Sequence, residues 1–277
     1  MQKKPLEICC YVAGAGAFGV FFRWMQTMLA FNELGLVDRS AFNVLVPLFV
    51  LAVAVVFYRF LKAEQAAGAY LSTEFNRALR NEGKLFALVR WVLGGIMCLG
   101  GAILIFTSET DKLAPMLRLL GGMAILSGLA FPQMLADANR EKPVPVLQCL
   151  YSFAPVFLFS VWLIYSYRAN SINSVIWSYV LEIAMTALAM DAFFRIAGFA
   201  FGNAKPWRAL YTAMLGAVFC LMSLADSRYL GMQIILFAAG CLLILVVWIL
   251  YSNALPAAPE EEKQQEPEEE DDGFEHL

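Results

Sequence analysis

Apolar residues run along this chain in long blocks closed off by charged or turn-forming residues, without the short alternation of strands or the stripes of a soluble helix. A helix that spans a bilayer needs about 20 mostly apolar residues. Eight blocks reach or approach that length: 8–29, 41–61, 85–106, 114–134, 146–167, 174–196, 209–225 and 229–252. The seventh is short and is bounded by Arg208 and Asp226. The pattern predicts an all-α integral membrane protein, a bundle of eight transmembrane helices over residues 1–255. The first block is too long for a cleaved signal peptide and carries Arg23.

Two connections depart from simple turns. Residues 62–84 are charged, yet Leu71, Phe75 and Leu79 recur every fourth position, which predicts an amphipathic helix along the headgroups. From Pro256 the chain holds ten acids and a single base, Lys263, with almost nothing apolar to bury. A disordered acidic tail over 256–277 follows from that composition.

Charge orients the bundle. One set of loops collects Lys3, Lys4, Arg59, Lys62, Arg77, Arg80, Lys84, Arg140, Lys142, Lys205 and Arg208, whereas the other has Arg39, Lys112, Arg168 and Arg228. Lys and Arg accumulate in cytoplasmic loops, so both termini are expected in the cytoplasm of a multi-pass plasma-membrane protein. The absence of any Asn-x-Ser/Thr sequon points to a bacterial membrane.

Composition agrees, with 60% apolar and 16% charged residues, against roughly 45–50% and about 25% in soluble domains. Lipid is the solvent for most of the chain. Its bases are scattered over helix ends and form no patch for nucleic acid. The six cysteines lie inside apolar blocks without metal-ligand spacing, and the single histidine, His276, sits in the tail. No metal or cofactor is indicated.

Short matches recur four helices apart. Leu93-Gly94-Gly95-Ile96-Met97-Cys98-Leu99 resembles Leu215-Gly216-Ala217-Val218-Phe219-Cys220-Leu221, and Phe57-Tyr58-Arg59 resembles Phe193-Phe194-Arg195. Two parallel four-helix halves would produce such matches. Leu120-Gly121-Gly122 also repeats Leu93-Gly94-Gly95, but one helix away.

Gly14-Ala15-Gly16-Ala17-Phe18-Gly19 spells a dinucleotide fingerprint, which needs a strand before it and free amides to meet a pyrophosphate. Inside a transmembrane helix those amides are bonded, so close helix packing is the expected role. Gly16, Gly19, Arg23 and Gln26 share one helical face, which therefore carries an arginine into the bundle. The sixth block is the most polar, with Glu182, Thr186, Asp191 and Arg195, and is expected at the bundle centre. Asp191 and Arg195 are one turn apart and can pair.

By depth, Arg23, Arg118 and Glu182 fall in the outer half, and Arg90, Asp191 and Arg195 in the inner half. Arg23 is expected to pair with Glu182. Arg23, Arg118, Glu182, Asp191 and Arg195 are the candidate binding residues, for a small anionic or amphipathic solute that is bound or transported. The alternative is a scaffold or sensor subunit that meets a cytoplasmic protein through loop 62–84 and the tail. No hydrolase motif, P-loop or nucleophile-base pair is present, which makes an enzyme the third reading.

Overall fold

The structure, a computed structural model, describes residues 5–30, 41–108, 113–140, 145–171 and 175–254, with the side chains of 176–178 excepted. The acidic tail and its predicted disorder lie outside the described residues. Within them the structure is all helical: α1 (Pro5–Leu29), α2 (Phe42–Ala66), a single-turn α3 (Phe75–Ala78), α4 (Lys84–Thr107), α5 (Ala114–Asp137), α6 (Pro145–Ala169), α7 (Ile176–Ala200), α8 (Pro206–Met222) and α9 (Leu230–Ser252). A 3₁₀ turn, Ser223–Ala225, extends α8. The eight long helices fall on the eight apolar blocks with ends shifted by a few residues. Seven of them are long and apolar enough to cross a membrane, so the chain is a polytopic membrane protein. The remaining long helix is α7, which carries Glu182, Asp191 and Arg195.

Proline starts α8 and sits in the first turn of α5, where a missing N–H costs nothing. Pro47, Pro132 and Pro155 lie inside α2, α5 and α6, which continue past them.

Six helices form a closed ring: each of α4 to α9 packs on the next, and α9 returns to α4. α1 lies across α8 and α9, and α2 packs outside on α1 and α8. Inside the ring, Phe131, Phe159, Trp162 and Phe193 are fully buried. Phe193 meets Phe131 edge-on at 5.1 Å and stacks on Phe159 at 5.7 Å. The polar α7 is not at the centre as expected. The most enclosed helices are α8 and α9. α9 carries no charged residue and places Ala238, Ala239 and Gly240 where neighbours approach closely. A helix apolar all round can be covered on every side, whereas α7 keeps one polar face toward a rim.

Glycines set the tightest contacts. Gly94 faces Gly128, and seven residues along, Gly101 faces Gly121; a Cβ on any of the four would lie 2.3–2.7 Å from the opposing carbonyl oxygen. Gly100 meets Gly231 of α9 in the same way. The recurrence of Leu-Gly-Gly in α4 and α5 is therefore a shared antiparallel seam, with Gly95 and Gly122 turned to open space. The expected division into two alike halves has no counterpart in these contacts. α6 to α9 are consecutive neighbours, whereas α1 packs mainly on α8 and α9, and α2 on α1 and α8, away from α4 and α5.

Residues 67–83 correct a further expectation, since only Phe75–Ala78 is helical there. Leu71, Ala78 and Leu79 are buried and Phe75 packs against the core, so the apolar stripe is spent on the bundle itself. Asparagines pin the segment. Asn81 Nδ2 donates to Leu79 O and Leu135 O, both at 2.7 Å, and Asn253 Nδ2 donates to Ala78 O and Arg80 O. Asn139 Oδ1 accepts from the Asn81 amide at 2.8 Å. Arg90, buried in α4, donates to Asn81 Oδ1.

The seam yields a contrast. Gly101→Leu or Gly128→Leu should destabilise the detergent-solubilised protein by about 1–3 kcal/mol or more, as overpacked cores do. Gly95→Leu and Gly122→Leu should leave the thermal midpoint nearly unchanged. Equal losses at all four positions would contradict the seam.

Candidate functional site

The site begins on α1. Gly16 and Gly19 bring that helix onto the last turn of α8, where an added Cβ would lie 2.5 Å from Leu221 and 3.2 Å from Met222 respectively. The same face carries Arg23 and Gln26, which are 2% and 1% exposed. Arg23 Nε donates to Asp226 Oδ1 at 2.6 Å and Nη1 donates to Gln26 Oε1 at 2.7 Å. Gln26 Nε2 in turn donates to Asn43 Oδ1 of α2 at 3.2 Å. Polar groups thus continue the small-residue stripe along the same buried face, one turn after another.

Asp226 is available at that depth because α8 is short. Its 17 residues rise about 26 Å at roughly 1.5 Å each, against about 38 Å for a 25-residue neighbour. The α8–α9 connection, Asp226 to Tyr229, is consequently drawn into the bundle. Arg228 Nη2 donates to Asp226 Oδ2 at 2.9 Å, and Nη1 donates to Ser223 O at 2.6 Å. Beyond it stands Glu182 of α7. Its Oε1 accepts from Trp162 Nε1 at 2.9 Å and from Ser166 Oγ at 2.7 Å, both on α6. Oε2 faces Arg228 Nε across 3.6 Å.

Four charges therefore alternate in sign through the protein: Arg23, Asp226, Arg228, Glu182. Two cations and two carboxylates cancel. Their side chains are 3%, 11%, 7% and 14% exposed, so the chain is nearly dry along its length. Desolvated charges are tolerated when each is paired and hydrogen-bonded. One link falls short. At 3.6 Å the Arg228–Glu182 contact is longer than a hydrogen bond, and the buried Arg228 Nε has no hydrogen-bond partner.

That link borders a pocket of about 500 Å³, lined by Tyr165, Asn170, Glu182, Ser227, Arg228 and Tyr229 among others. It opens at the end of the bundle away from the basic loops. The charge cluster is composed differently from the expected one. Arg23 and Glu182 do not touch, because Asp226 and Arg228 stand between them. Arg118 is exposed on α5 and takes no part. Asp191 and Arg195 do pair, Arg195 Nε donating to Asp191 Oδ2 at 2.8 Å, toward the other end of α7. Arg90 belongs to the asparagine cluster there. Among the described residues no group of three metal-ligating side chains occurs, and all six cysteines are free thiols.

The sequence does not single out Asp226 and Arg228 because each borders an apolar block, where charges ordinarily mark the headgroup level. The signal was the shortness of the seventh block, which pulls its closing charges inward.

Direct pairing makes a specific demand on mutants. Removing one partner of a buried pair costs about 3–5 kcal/mol, whereas removing both leaves no stranded charge. Arg23→Leu and Asp226→Leu should each destabilise the protein, and the double mutant should recover much of the loss. Arg23 and Glu182, which do not touch, should couple more weakly in the same cycle. A thermal-unfolding cycle in which Arg23 couples more strongly to Glu182 than to Asp226 would contradict the observed order.

No known protein family matches this chain, and neither a curated protein nor a solved structure matches it either.

Proposed function

We propose that this protein binds a small polar solute in the pocket beside Glu182 and Arg228, and serves as a transporter or receptor for it in a plasma membrane. One observation carries the proposal: a buried arginine nitrogen without a hydrogen-bond partner stands 3.6 Å from a carboxylate oxygen at a pocket wall. Incompletely satisfied polar groups converging on a pocket are the usual mark of a ligand site. The four charges sum to zero, so no net positive field is available for a simple anion. A solute with both an acceptor for Arg228 and a donor for Glu182 fits better, a zwitterion above all. Trp162 and Ser166 hold Glu182 in place from behind by bonding its other oxygen.

The pocket would face the outside. We propose that α7 crosses the membrane with the seven more apolar helices, its charges being met by protein on the Glu182 side and by Arg195 near its end. Eight crossings put both termini on the side of the basic loops, the cytoplasm by charge bias.

Two measurements follow. In a thermal-shift panel of zwitterions, simple carboxylates and neutral polyols, a zwitterion should stabilise the wild type, and Glu182→Gln and Arg228→Gln should each abolish the shift. A shift that survives both substitutions would remove the pocket from consideration. Reporter fusions at Ser40, Asp111, Ala169 and Ser227 should report outside, and fusions at Gly83, Asn139, Asn203 and the C-terminus inside. Gly83 and Asn203 on opposite sides would show that α7 does not cross.

A further inference from the structure

At the basic end of the bundle a second pocket, about 290 Å³, lies between α6, the end of α7 and the turn into α8. Its geometry comes from how α7 stops. Gly202 takes φ +70°, the Asn203 amide donates to Gly198 O at 3.0 Å, and the Gly202 amide donates to Phe199 O at 3.3 Å. These two bonds and the left-handed glycine make a Schellman ending, which folds the chain back on the helix. Lys205, just before Pro206, is thereby returned beside Arg195, and both line the pocket. Phe153, Phe194 and Phe201 form its apolar side, with Phe153 and Phe201 in ring contact at 4.9 Å.

Arg195 is held for use. Its Nε is bonded to Asp191, and among the described residues no other hydrogen bond engages its guanidinium. One edge is fixed, and the other presents two terminal nitrogens, the fork that matches a phosphate. Counting Asp191, the group has two cations and one anion, a surplus of positive charge.

We infer that this pocket binds an anionic phospholipid, its phosphate between Arg195 and Lys205 and an acyl chain along Phe153, Phe194 and Phe201. Basic pockets between transmembrane helices on the cytoplasmic side suit such headgroups. The phenyl wall speaks for lipid over free phosphate. Phe194 and Phe201 are 57% and 48% exposed, facing outward where acyl chains would lie. The surplus charge speaks for an anionic over a zwitterionic headgroup.

The test uses the full chain, delipidated in detergent and titrated with phosphatidylglycerol, with phosphatidylcholine of the same acyl chains, or with inorganic phosphate, with bound lipid read by native mass spectrometry. Phosphatidylglycerol should bind more tightly than phosphatidylcholine. Lys205→Gln and Arg195→Gln should each weaken it about fivefold, the loss expected for about 1 kcal/mol per basic residue. Arg140→Gln, an exposed base at the same end but outside the pocket, should not. Lys205 is exposed in a turn, so its variant should fold as the wild type does. Equal binding of the two lipids, equal loss in Arg140→Gln, or full competition by inorganic phosphate would each overturn the assignment.

Discussion

A single arginine on the first helix, placed too deep to reach water, constrains much of this protein. Arg23 cannot remain unpaired in a low-dielectric interior. Its neutralisation by Asp226 fixes α1 against the α8–α9 connection. Asp226 then holds Arg228, and Arg228 faces Glu182, which is oriented by α6. α1, α6, α7 and the α8–α9 turn are thereby registered to one another by a neutral string of charges. Apolar packing alone gives helices in lipid little reason to choose one rotation over another, since lipid tails are as apolar as leucine. Alternating charge supplies that choice.

Close packing performs the corresponding task where there are no charges. The α4–α5 seam is set by four glycines whose backbones nearly touch, and Gly100 with Gly231 closes the ring onto α9. At the basic end, asparagines take over and fasten residues 67–83 to the ends of α5 and α9. The bundle is thus tight along its middle and latched at one end. The loosest ion pair, 3.6 Å between Arg228 and Glu182, is at the other end, beside the pocket.

Much of this was legible in the chain. Eight apolar blocks mark eight long helices, seven of them long and apolar enough to cross a membrane. The face Gly16-Gly19-Arg23-Gln26 is buried as its spacing requires, and Asp191 pairs with Arg195 as one helical turn allows. What was not legible depends on tertiary depth. Periodicity in 62–84 predicts a helix, but Leu71 and Leu79 found burial without one, and the asparagines satisfied the backbone instead. Glu182 looks like the partner of Arg23 because both lie in outer halves. Only the short α8 shows that the Asp226–Arg228 turn fills the space between them.

The proposed outward-facing pocket ends at Arg228, and the charges behind it are nearly dry. Single cysteines at Ser227 and Gln26, in a chain with its six native cysteines replaced, can be exposed in intact cells to a membrane-impermeant maleimide. The account predicts rapid labelling at Ser227, which is exposed, and none at Gln26, which is 1% exposed. Comparable labelling at both positions, or labelling at Ser227 only after the cells are opened, would contradict it.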